Sequence, residues 1–230
     1  MSKTQDLLQL YKLPSEALIA LELEKTQLAT KPQTDELLAR FGKPSEAKAF
    51  LLLTKRFDRE AVEQGIKRFG TPNESIVYFQ LKEFFGEQLA EEALKTYALP
   101  KEAGVFLWLT KADGHPVFGK DKVDEALKRF VVPSEAREFL WMFKNWGIEV
   151  EEVLKRFPTP SNARSFLWIK RDFGIDKTEQ ALKRFPKPSE AREYLLACKE
   201  FSVEKTEQAL KEFGSPAEAR AFLKLDKLAG

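Results

Sequence analysis

Histidine and cysteine are nearly missing from this 230-residue chain, which holds one of each, His115 and Cys198. A single thiol cannot close an internal disulfide, and one imidazole beside one thiol cannot supply the ligand set of a zinc site. That usage fits a reducing compartment. Phosphate-binding glycine loops are absent as well, and no nucleophile stands with a base in supporting context. The sequence therefore predicts a protein that is not an enzyme and takes no cofactor. His115 falls in a Gly/Pro loop and reads as solvated, while Cys198, in YLLACKEF, reads as a small buried helix residue.

Net charge is missing too. Lys and Arg total 38 against 36 Asp and Glu, and a balance of +2 is too weak to draw a polyanion by bulk charge. No window approaches the ~18 consecutive apolar residues of a membrane span. The opening MSKTQDLLQLYKL lacks the basic and apolar regions of a secretory leader, so the chain reads as soluble and cytoplasmic, with no membrane partner.

What the sequence does have is a repeat. Hydrophobic residues at 43% with 32% charged suit packed amphipathic helices. A phrase of the type PSEARxFL recurs at Pro14, Pro44, Pro72, Pro100, Pro133, Pro160, Pro188 and Pro216. The intervals are 30, 28, 28, 33, 27, 28 and 28 residues. Three residues before each proline stands an aromatic: Tyr11, Phe41, Phe69, Tyr97, Phe130, Phe157, Phe185 or Phe213. DKTEQALKRFPKPSEARE from Asp176 returns nearly verbatim as EKTEQALKEFGSPAEARA from Glu204, the mark of duplication.

Each unit predicts two helices. Helix A, as in EEVLKRF, spaces Val153, Leu154 and Phe157 three and four apart and ends in Lys155 and Arg156, which complement the negative end of the helix dipole. Helix B opens on the proline, whose missing N–H costs nothing at the first helical position. Thr71 with Glu74, and Ser215 with Glu218, have the spacing of a reciprocal capping box. Helices this short are marginal alone and need neighbours. Ala136 beside Phe139, and Ala163 beside Phe166, predict a small residue for close helix approach next to a large one filling the gap between repeats. The predicted fold is all-α: an α-solenoid, of either hand, with about eight two-helix repeats and about sixteen short helices, forming one domain over residues 1–230. Each repeat is expected to touch only its neighbours in sequence. The long interval holds KADGHPVFGK, whose Gly114, Pro116 and Gly119 make it a loop. Loops on solenoids often gather on one face and bind, but an insertion in a turn is tolerated at little cost, so neutral drift is the leading reading and a binding loop the alternative.

Eight helix-turn-helix units make the chain resemble the α-solenoid superfamily of tetratricopeptide, pentatricopeptide, HEAT and mitochondrial-terminator-type repeats. The unit is shorter than the ~34 residues of the tetratricopeptide class and lacks its W-x-x-L-G-x-x-Y phrase, so the resemblance implies architecture and transfers no functional residue. NWGIEVEEVLKRF at Asn145–Phe157 and LKLDKLAG at Leu223–Gly230 are similar to phrases in the helical modules of oomycete effectors. No RxLR-type leader accompanies them, and that resemblance bears on origin alone.

One feature is not explained by packing of a lone helix. Trp108, Trp141 and Trp168 occupy the same place in three consecutive B helices. On a wheel of 100° per residue with Ala136 at zero, the apolar residues fall between about −120° and +40°, while Trp141 falls near +140°. Arg137 and Lys144 share its side, and in the next copy Arg164 and Arg171 flank Trp168 at helical contact spacing. Lys48, Arg137, Arg164, Arg192 and Arg220 stand at one equivalent position and predict a basic ladder. Two readings stay open: tryptophans buried between repeats under arginine stems, or an exposed stripe that binds. The second predicts a scaffold engaging a protein or peptide through Trp108, Arg137, Trp141, Lys144, Arg164, Trp168, Arg171 and Arg192. The alternatives are single-stranded RNA binding, which needs the ladder to offset a weak net field, and an effector acting on a host protein in the host cytoplasm.

Overall fold

The computed structural model describes residues 3–26, 28–111 and 118–229. Those residues form sixteen helices and no strand. In pairs along the chain they are α1 (Lys3–Tyr11) with α2 (Pro14–Thr26), α3 (Lys31–Phe41) with α4 (Pro44–Arg56), α5 (Arg59–Phe69) with α6 (Pro72–Phe85), and α7 (Glu87–Thr96) with α8 (Pro100–Lys111). There follow α9 (Lys120–Arg129) with α10 (Pro133–Trp146), α11 (Glu149–Arg156) with α12 (Pro160–Phe173), α13 (Ile175–Arg184) with α14 (Pro188–Phe201), and α15 (Val203–Phe213) with α16 (Pro216–Ala229). All eight B helices begin on their proline, and all eight prolines are buried. No helix among the described residues is long and apolar enough to cross a membrane. His115 and the rest of the segment 112–117 lie outside the described residues.

Three contacts build each repeat and join it to the next. The first is a seat for a small residue three places after the proline. Ala17, Ala47, Ser75, Ala103, Ala136, Ala163, Ala191 and Ala219 all have zero exposure there, because any larger side chain would hold the packed helices apart. Ser75 keeps its hydroxyl satisfied by donating to the Thr71 carbonyl at 2.8 Å. The second contact is an aromatic pair within the repeat: Phe41–Phe50, Phe69–Tyr78, Tyr97–Phe106, Phe130–Phe139, Phe157–Phe166, Phe185–Tyr194 and Phe213–Phe222, with centroids 4.8–5.3 Å apart. Phe139 and Phe166 thus stack on the aromatic of their own helix A, which corrects the expectation that they fill the gap between repeats.

The third contact explains why the phrase is so often Pro-Ser-Glu. The Glu of one repeat accepts two hydrogen bonds from the Ser of the next. Ser45 donates to Glu16 from its backbone N (3.0 Å) and Oγ (2.8 Å), Ser134 to Glu102 (2.9 and 2.9 Å) and Ser161 to Glu135 (3.1 and 3.0 Å). The capping-box expectation is therefore half right. Thr71 and Ser215 do accept from the backbone N of Glu74 and Glu218, at 3.2 Å each. The Glu218 carboxylate, however, turns away from its own helix to a neighbouring repeat, and one Glu74 oxygen is buried without any partner. The serine that should meet Glu74 is replaced by Lys101, which has no hydroxyl to give.

The chain divides into two compact units, residues 1–59 with 169–230, and residues 60–168. In the second unit α6 packs on α8 and α8 on α10 in sequence order, with α7 against α6 and α8 and α9 against α8 and α10. The first unit departs from strict neighbour order. α14 packs on α16, α16 on α2 and α2 on α4, so the eighth repeat takes the first as its next neighbour. The junction reuses the ordinary contact: Ser15 donates to the Glu218 carboxylate from N (3.0 Å) and Oγ (2.8 Å). Leu225, fully buried, joins Leu7, Ala17, Ala20 and Leu21 in one core. Lys25 Nζ donates to the Leu228 carbonyl at 2.8 Å. The expectation that each repeat touches only its sequence neighbours fails here because the first and eighth repeats present complementary halves of the same surface.

If this contact is the common currency of stability, Glu218→Ala and Glu102→Ala should each lower stability by about 1–3 kcal/mol, the loss of charge-assisted bonds to a partly buried acceptor. Lys101→Ser should raise it by about 1 kcal/mol by giving Glu74 a donor. Denaturant unfolding of the three variants checks both signs; an unchanged Glu218→Ala midpoint would show the junction carries no weight.

Candidate protein-binding surface

The three tryptophans lie on α8, α10 and α12, within residues 60–168. Trp108 and Trp141 are 36% and 37% exposed and Trp168 is half-buried, so the structure combines features of both readings. Each of two indoles rests one edge on an aromatic of the preceding repeat. Trp141 meets Phe118 at 5.8 Å and 86°, and Trp168 meets Trp146 at 5.8 Å and 75°, the edge-to-face geometry that ring quadrupoles favour. The inner edge closes the seam between repeats, and the outer part of Trp108 and Trp141 faces solvent.

Phe118 clarifies the long interval. In five of the other repeats the residue at this place, thirteen after the proline, is an aromatic: Phe57, Phe85, Trp146, Phe173 or Phe201. Phe118 stands five places further on and yet is 8% exposed, in one core with Val105, Leu109, Val123 and Leu140. Despite the longer interval in sequence, the core position is kept.

The predicted basic residues have a different fate from the tryptophans. Arg164 donates to Glu138, to which Arg137 also approaches at 3.3 Å. In the other unit Arg220 pairs with Glu193 and Glu200 at 2.9 and 3.0 Å, Arg192 lies 4.0 Å from Glu193, Arg171 bonds Asp172 at 3.0 Å, and Lys48 bonds Glu22 at 2.9 Å. Each of these predicted rungs has a carboxylate beside it, and its charge is largely spent within the protein. Lys144 lies over a tryptophan, its Nζ 5.3 Å from the Trp141 ring. Arg171 and Arg192 belong to the unit that does not contain the tryptophans.

Beside Trp141 lies a cavity of about 460 Å³ that the sequence alone did not suggest. Phe118, Phe139, Leu140 and Phe143 form its apolar lining, and Lys122, Glu125, Arg129, Lys144 and Glu151 its polar rim. Equivalent grooves recur on the seventh and eighth repeats, where Cys198 and Asp226 hold the place of Phe143. Cys198 is accordingly half-buried in a groove and not wholly enclosed. Phe143 is the residue that sequence reasoning missed. Ten places after the proline the other repeats carry Glu24, Thr54, Lys82, Thr110, Lys170, Cys198 and Asp226, and alignment of the copies marks Phe143 as the aromatic exception, 41% exposed.

One rim is fixed by a bidentate ion pair. Arg129 donates to Glu151 at 2.7 and 3.0 Å while its guanidinium lies 4.9 Å from the Phe139 centroid. The same link joins Arg68 to Glu91 (2.6 and 2.7 Å) and Arg184 to Glu207. The KRF phrase thus does more than complement a helix dipole: its arginine covers the aromatic pair and reaches the next helix A. Hydrogen bonding from Arg129 holds the Glu151 carboxyl below its usual range, and Arg68, with Tyr78, holds Glu91 at about 2. Burial and then the bond to Glu91 push the Tyr78 phenol up. A carboxyl depressed in the folded state stabilises above its unfolded value and loses that contribution as pH falls toward the folded value. Stability should stay level from pH 7 to about 5 and decline from about 4.5 down to 2. Replacing Glu91, Glu151 and Glu207 together by Gln should make that decline shallower in acid titrations of the thermal midpoint; an identical slope would show the pairs contribute nothing.

No family model, no curated protein and no solved structure matches the chain, so this surface stands on its own geometry.

Proposed function

We propose that the chain is a non-enzymatic helical-repeat scaffold that binds another protein or a peptide through the face bearing Trp108, Trp141 and Trp168. The observation that carries this reading is the partial exposure of Trp108 and Trp141 (36% and 37%) on consecutive repeats of a body whose other aromatics mostly pair off inside it. Large, rigid, amphipathic rings at low entropic cost are what interface hot spots are made of. Phe143 and Lys144 extend the same face with an apolar and a cationic group. Pairing of the ladder arginines with Glu138, Glu193 and Glu200 favours a protein partner over single-stranded RNA, since a phosphate backbone would have to compete with those carboxylates.

The test is affinity capture with the wild-type chain and with Trp141→Ala/Trp168→Ala, both checked by circular dichroism for retained helicity. Partners held by the wild type should be lost from the variant, with affinity reduced by about thirtyfold or more for a true hot-spot pair. Equal capture by a folded variant would remove the tryptophan face from consideration. Salt-sensitive retention of labelled single-stranded RNA by the wild type would favour the nucleic-acid alternative instead.

A further inference from the structure

We infer that the cavity on the fifth repeat is an anchor site for an acidic peptide that inserts one large apolar side chain, aromatic or leucine-sized, between α9 and α10. This deepens the binding reading above and rests on it for the face involved, but a different set of residues carries it.

Three observations converge. The first is size and lining: about 460 Å³ bounded by Phe118, Phe139, Leu140 and Phe143 falls within the range of about 300–1,000 Å³ typical of ligand sites and suits a single anchoring side chain. The second is that the aromatic at this one place in the groove is local. Grooves of the same construction on the seventh and eighth repeats present Cys198 and Asp226 where this one presents Phe143. Folding does not require an aromatic there, because Lys82 and Lys170 occupy the place in other repeats of the same architecture. Phe143 is left 41% exposed, an arrangement that burial against a partner would relieve.

The third observation is charge. Lys122, Arg129 and Lys144 against Glu125 and Glu151 leave the lining one positive charge in excess, and Arg129 is engaged by its two bonds to Glu151. Lys122 on α9 and Lys144 on α10 remain, one on each wall, and among the described residues neither has a carboxylate partner. Lys144 instead lies over Trp141. An apolar floor with a lysine on either wall and one positive charge in excess is complementary to an apolar anchor flanked by carboxylates. A basic peptide would meet Lys122 and Lys144 with like charge.

The experiment titrates the full chain with a synthetic peptide of about a dozen Asp and Glu residues around a central Leu-Phe pair. Intrinsic tryptophan emission reports binding, since Trp141 touches both Phe118 and Lys144 and the peptide contains no tryptophan. Saturable binding is expected, weakened about tenfold by Phe143→Lys, a residue the fold already accepts at this place. Lys122→Gln/Lys144→Gln should weaken it about fivefold and flatten its salt dependence. A peptide with Ala-Ala at its centre, or with Lys for every acid, should bind at least tenfold less tightly. Equal affinity for the Ala-Ala peptide, no effect of Phe143→Lys, or no binding of the acidic peptide at all would each overturn the inference. Capture of partners lost in Trp141→Ala/Trp168→Ala but retained in Phe143→Lys would leave the tryptophan face standing and remove this site. Peptide binding lost in Phe143→Lys while the tryptophan variant keeps every partner would do the reverse.

Discussion

Everything in this molecule depends on how closely one B helix can approach the next. The seat three residues after each proline admits Ala or Ser with no exposed surface at all, and close-packed interiors do not stretch to take more. Once that distance is set, the other contacts follow from it. The Glu one residue before the seat comes within 2.8–3.1 Å of the serine on the neighbouring repeat. The KRF arginine spans from its own aromatic pair to the next helix A. A repeat of this kind has almost no fold of its own, and its stability is a sum of junctions.

The same rule explains the pairing of the eighth repeat with the first. Nothing distinguishes Ser15 and Glu218 from Ser45 and Glu16 except their separation along the chain. A surface that accepts the next repeat accepts any repeat with the right serine, leucines and small-residue seat.

Against so regular a background, function is to be sought in departures from the repeat. Trp108, Trp141 and Trp168 depart from the variable residues at their place, such as Gln80 and Lys224, and Phe143 departs from the polar ones at its own. Phe118, the first described residue after the segment 112–117, lines the same cavity as Phe143. Packing explains part of each feature, since Trp141 and Trp168 close seams on Phe118 and Trp146. Packing does not explain why the outer surfaces of Trp108, Trp141 and Phe143 are left in water.

Sequence alone determined the eight units, their sixteen helices, the proline starts and the alanine seats, because those are local matters of periodicity, fixed φ and side-chain volume that each copy states again. It also placed Trp141 off the apolar face, since helix geometry fixes direction. Only the tertiary structure decided which charges are free. Arg137 and Arg164 looked like a basic stripe in one dimension, and Glu138, a single sequence neighbour away from Arg137, meets both once the repeats are stacked. The junction of Ser15 with Glu218, and the cavity that Phe143 lines, were likewise invisible. Both are made by residues from different repeats, and a repeat pattern states what each copy contains without stating which copies meet.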